Sequence, residues 1–97
     1  MSQIIEKEKI LNYVERNKTA LKIIEIKVPE NSHLFDIAID FKRMAEDYTN
    51  DAIYFFEKGD YVNALSSLSY AYGWIDAGAR LGLFDVKNDH IRFTLKD

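Results

Sequence analysis

A chain of 97 residues with 47% hydrophobic and 30% charged side chains is the size of one small domain with one core, and its composition excludes a disordered tail. It has no cysteine and only two histidines, His33 and His90, which excludes a disulfide framework, thiolate metal sites and a cysteine nucleophile. A formal net charge of −3 with interleaved basic residues argues against binding driven by phosphate neutralisation, so nucleic acid is not an expected partner.

No stretch approaches the ~20 apolar residues of a membrane helix, and the opening MSQIIEKEKI lacks the apolar core of a signal peptide. The expectation is a cytoplasmic protein without a membrane partner.

The first element is expected at about residues 3–27. Ile10, Val14, Asn17, Leu21, Ile24 and Val28 step by four and three, with Asn17 the single polar member of the stripe. Within it, LKIIEIKV at residues 21–28 also alternates Ile24, Ile26 and Val28, which suits a strand. Helix to about Lys27 is the favoured reading.

Pro29 holds Val28 out of helical geometry, and Asn31 or Ser32 can cap a second helix. That helix, at about 32–58, carries Leu34, Ala38, Phe41, Ala45, Tyr48, Ala52 and Phe55 in one stripe and stops at Gly59. Asp60 then caps a third helix at about 61–82, where Tyr61, Leu65, Leu68, Tyr72, Ile75 and Ala79 repeat the pattern up to Gly82. A link as short as Gly59-Asp60 joins antiparallel neighbours. A second apolar seam on the third helix, through Ser67, Tyr70 or Ala71, Trp74, Gly78 and Leu81, calls for one more partner, which the first helix supplies.

The expected fold is therefore all-α: one domain over 1–97, a three-helix up-and-down bundle built on a long helical hairpin, with a short extended tail from 83 to 97. Within the tail, HIRFTLK at 90–96 alternates like a half-buried strand. It would pair with residues 21–28, pair across a dimer, or lie against the bundle.

Chemical motifs are sparse. GWIDAGAR at 73–80 has the glycine spacing of a phosphate loop but offers Ala79-Arg80 in place of Lys and Ser or Thr, and it lies in a helix whose N–H groups are already bonded. Gly73 and Gly78 are better explained by a backbone or ring coming close, and Gly82 by a helix C-cap.

Asp36, Asp40, Asp47 and Asp51 share one side of the second helix with Arg43 between them, a pattern that suits a solvated face or, with Glu46, a cation site. Asp76 and Arg80 are spaced for an i,i+4 ion pair, and Asp51 and Asp76 are placed to hydrogen-bond tyrosines. Of the aromatic residues, Tyr54, Phe56 and Trp74 are those whose helical phase leaves them partly exposed. No serine-histidine-aspartate order or nucleophile elbow is present, so no catalytic residue and no cofactor is assigned.

Tyr48, Asp51-Ala52, Tyr54-Phe55, Gly59-Asp60, Ala64, Tyr70-Ala71, Gly73-Trp74, Asp76-Ala77-Gly78 and Leu81-Gly82 resemble the central pattern of a small archaeal family known as domain of unknown function 357. The resemblance implies a three-helix bundle and carries no activity, cofactor or functional residue. Two function classes follow. One is a non-enzymatic interaction or adaptor module that binds a protein partner or itself, through the face of Tyr54, Phe56 and Trp74 or through the tail strand. The alternative is a bundle that binds a small molecule or divalent metal through Asp47, Asp51, Asp76 and Arg80.

Overall fold

The computed structural model describes residues 5–87. Three helices, α1 (Lys7–Ile23), α2 (His33–Glu57) and α3 (Tyr61–Arg80), are joined by a two-stranded ribbon, β1 (Glu25–Ile26) with β2 (Phe84–Asp85). It is an all-α bundle.

Sequence chemistry accounts for both ends of α2 and of α3. Ser32 caps α2, its hydroxyl accepting the Phe35 N–H at 3.3 Å. At the other end the Asp60 N–H reaches the Phe55 carbonyl at 2.8 Å and the Gly59 N–H reaches Phe56 at 3.0 Å. That pair of reversed bonds is a Schellman ending, and it needs the left-handed backbone that Gly59 adopts at φ 78°. Asp60 then opens α3 by accepting the Asn63 N–H at 3.2 Å. One glycine and one aspartate thus reverse the chain within a single turn.

The same device ends α3. The Leu83 N–H bonds the Gly78 carbonyl at 2.9 Å, the Gly82 N–H bonds Ala79 at 3.1 Å, and Gly82 sits at φ 79°.

Residues 24–27 depart from the expected helix. Ile24 is extended (φ −66°, ψ 142°), α1 stops at Ile23, and Glu25–Ile26 pair antiparallel with Phe84–Asp85. The period-two alternation of β-branched residues overrides the period-four stripe once a partner strand is present, and the Lys27 N–H extends the ladder to the Leu83 carbonyl at 3.0 Å. The partner of 21–28 is thus the segment just after α3. The expectation for 90–96 lies outside the described residues.

Two groups of buried side chains fix the helix directions. Ala20, Ile24, Ala38, Ala45, Ile75 and Ala79 gather at one end, together with Leu83, Phe84 and Val86 of the ribbon. Ile10, Val14, Ala52, Ala64 and Leu68 gather at the other. The end of α1 therefore meets the start of α2, and the end of α2 meets the start of α3, which is an up-and-down arrangement.

Small residues recur every seven positions, as Ala38, Ala45 and Ala52 on α2 and as Ala64, Ala71 and Gly78 on α3, all buried. A heptad of small side chains lets these two helices approach closely. Between the two apolar groups lies a polar layer. Asn17 is fully buried and its Nδ2 donates to the Leu68 carbonyl at 3.0 Å and to Thr49 Oγ1 at 3.4 Å.

Candidate functional site

The aromatic residues of the hairpin form a ladder along the α2/α3 face. Tyr48 meets Tyr70 edge to face with centroids 4.6 Å apart, Tyr70 meets Trp74 at 6.1 Å, and Trp74 meets Phe41 at 4.9 Å. Tyr70 stands 52% exposed in the middle of the row.

Beside Tyr70 and Trp74 runs an open groove of about 300 Å³, lined by Phe41, Ser69, Tyr70, Gly73, Trp74 and Ala77. Ser69, Gly73 and Ala77 are four residues apart and share one line of α3. A Cβ added to Gly73 would meet nothing within 4 Å. Gly73 therefore has no neighbour that requires it, in contrast to the expectation from sequence. Gly78 does meet that expectation, because an added Cβ would run into the buried Phe84 ring.

Trp74 is half-buried, and its indole Nε1 is buried with no hydrogen-bond partner among the described residues. Leaving a buried donor unbonded costs about 1–3 kcal/mol. Stability alone does not explain an indole there, since an aromatic ring without a donor would pack against Phe41 as well.

The other candidates are scattered. Tyr54 is 57% exposed near the hairpin turn, with Lys58 Nζ 5.5 Å above its ring. Phe56 stacks on Tyr61 at 5.4 Å and belongs to the core group around Leu68, whereas Trp74 belongs to the group around Ile75. Phe56 and Trp74 thus lie toward opposite ends of the hairpin.

Asp76 and Arg80 do come together, with Arg80 Nε donating to Asp76 Oδ2 at 3.1 Å, while Asp76 Oδ1 is buried without a partner among the described residues. The tyrosine hydrogen bonds expected of Asp51 and Asp76 are not among the bonds these two make. Asp51 and Asp47 are exposed on α2 without hydrogen bonds to described residues, and Asp47 borders a polar groove with Lys18, Glu46, Thr49 and Asn50. Arg43 pairs with Asp40 at 3.4 Å on the same solvated helix. Among the described residues, no three aspartate, glutamate or histidine side chains converge as metal ligands would.

Sequence reasoning missed a cluster on the α1 side. Arg16 lies between the Tyr13 and Tyr72 rings, its guanidinium carbon 4.6 Å and 4.0 Å from their centroids, and its Nε donates to Asn17 Oδ1 at 3.0 Å. Half-burial lowers the Arg16 pKa below the ordinary arginine value, and the two tyrosines act in the opposite direction. The available signal was Asn17, the one polar residue in an apolar stripe.

Fold and surface together define a helical bundle whose distinctive features are an aromatic groove and a polar layer. A family model described as protein of unknown function (DUF357) matches residues 12–84, and the chain belongs to that family. No curated protein matches the chain. No solved structure matches it either. Among the described residues, no helix is long and apolar enough to cross a membrane.

Proposed function

We propose that the chain is a non-catalytic interaction module whose α2/α3 groove receives α3 of a second copy. The observation that carries this reading is the open, helix-interior Gly73 next to the half-exposed Tyr70.

A glycine inside a helix costs about 1 kcal/mol relative to alanine. At Gly78 that cost is offset by the close approach of Phe84, whereas at Gly73 nothing within the chain offsets it. A helix from outside, lying along Ser69, Gly73 and Ala77, supplies the missing reason, because small residues let two backbones come near.

The surface is also self-complementary. Tyr70 is a ridge and Gly73, three residues on, is a hole, so a two-fold axis between antiparallel copies of α3 seats each tyrosine over the other copy's glycine. Phe41 and Trp74 wall the groove and would supply its buried centre. Tyr54 and Phe56 lie outside this interface.

Light scattering after size-exclusion chromatography, over roughly micromolar to millimolar protein, tests the proposal against the concentration dependence that association must have. The expected result is a dimer that Gly73→Gln converts to monomer without loss of helical circular dichroism. A chain that stays monomeric throughout, or a dimer unaffected by Gly73→Gln, overturns it.

A further inference from the structure

We propose that Lys9, Tyr13 and Arg16 of α1, with Tyr72 of α3, form a binding site for a small phosphomonoester. Lys9, Tyr13 and Arg16 are spaced by four and three and so share one stripe of α1. Lys9 Nζ lies 5.8 Å from the centre of the Tyr13 ring and the Arg16 guanidinium 4.6 Å from it, so both cations lie near a single ring.

The Arg16 side chain is fixed in advance. Its guanidinium lies over the Tyr13 and Tyr72 rings, and its Nε is held by Asn17, which is itself buried and anchored to the Leu68 carbonyl and Thr49. The entropy of ordering a long side chain, which normally weakens an arginine contact, is therefore already spent in folding. What remains of the guanidinium is its outer fork, and neither Nη bonds any described residue. That fork is the part that recognises two oxygens of one anion.

Charge points the same way. Arg16 is half-buried, yet neither it nor Lys9 joins any ion pair among the described residues, although Glu8 and Glu15 are adjacent in sequence. A partly desolvated cation without a counter-charge is unfavourable, and an anion relieves it. Two cations match the near-double charge of a phosphomonoester at neutral pH better than the single charge of a carboxylate or phosphodiester.

The test follows the Arg16 Nε–Hε resonance of 15N-labelled full-length protein. Inorganic phosphate, methyl phosphate, dimethyl phosphate and acetate are titrated separately at constant ionic strength. A saturable shift with inorganic and methyl phosphate is expected, about tenfold weaker with dimethyl phosphate and with acetate, which offer one charge. Lys9→Gln, an exposed change that leaves the core intact and removes one of the two cations, should weaken phosphate binding several-fold and reduce the preference for the monoester. The assignment is overturned by the absence of a saturable shift, by equal binding of the diester or acetate, or by a Lys9→Gln protein that binds phosphate unchanged.

Discussion

Gly73 and Gly78 lie five residues apart on one helix, and the same substitution at each is expected to move stability in opposite directions. At Gly78 an added methyl group falls against the Phe84 ring, 2.5 Å from Cδ2 and 3.0 Å from Cζ. The ring cannot retreat into solvent, since Phe84 is 1% exposed and packed among Ile75, Ala79, Leu83 and Val86. Overpacking of this kind costs about 1–3 kcal/mol, against a helix-propensity gain of about 1 kcal/mol. Gly78→Ala is thus expected to destabilise by about 1 kcal/mol net, the middle of the roughly 0–2 kcal/mol that remains. Gly73→Ala meets no neighbour, keeps only the propensity gain and should stabilise by about 0.5–1 kcal/mol. For a chain of this size each kcal/mol moves the thermal midpoint by about 4–8 °C, so the two variants should separate by roughly 10 °C.

The assay is thermal and urea unfolding by circular dichroism at low micromolar protein, where association contributes least. Phe84→Leu serves as the second leg of a double-mutant cycle, because removing the ring edge should reduce the penalty of Gly78→Ala. If the two alanine variants shift together, or if Phe84→Leu leaves the Gly78→Ala penalty intact, the close-contact reasoning fails.

Asn17→Ala removes the donor to Leu68 and Thr49 and should cost about 1–3 kcal/mol, read as a lower urea midpoint at unchanged slope. Asp60→Ala deletes the cap of α3 and should cost about 1 kcal/mol by the same measurement, with little change at Asp47→Ala. Lys87, held by its bond to Glu25 at 3.0 Å, has a pKa above the ordinary lysine value. A raised lysine pKa means the contribution is present at neutral pH and is lost as pH rises past the ordinary lysine range. Stability should therefore fall along that alkaline limb, and Glu25→Gln should flatten the fall.

Much of the bundle was legible in the sequence. Gly59, Asp60, Ser32 and Gly82 act locally, through backbone geometry and the nearest N–H groups, so their roles follow from residue type and position alone. The stripes of α2 and α3 were equally plain, although Leu34 and Leu81, assigned to seams, stand exposed. The end of α1 was not legible, because Ile24, Ile26 and Val28 satisfy both periodicities and only the arrival of Phe84–Asp85 decides between them.

The surface was harder to read for the same reason. Gly73 and Gly78 are indistinguishable as letters, and what separates them is a ring brought back by the turn at Gly82. Helical phase suggested exposure for Tyr54, Phe56 and Trp74 but could not tell which end of the hairpin each would occupy. The Arg16 cluster joins α1 to α3 across 56 residues of sequence and has no local signature beyond the polar Asn17.

The claim that Tyr70 of one copy seats over Gly73 of another is tested most directly by isotope-filtered nuclear Overhauser spectroscopy on a mixture of labelled and unlabelled chains. The predicted result is an inter-copy contact between the Tyr70 ring protons and the Gly73 α-protons, alongside the intrachain contact between Tyr70 and Trp74. A spectrum with the intrachain contact and no inter-copy signal, at a concentration where the protein sediments as a dimer, would contradict it.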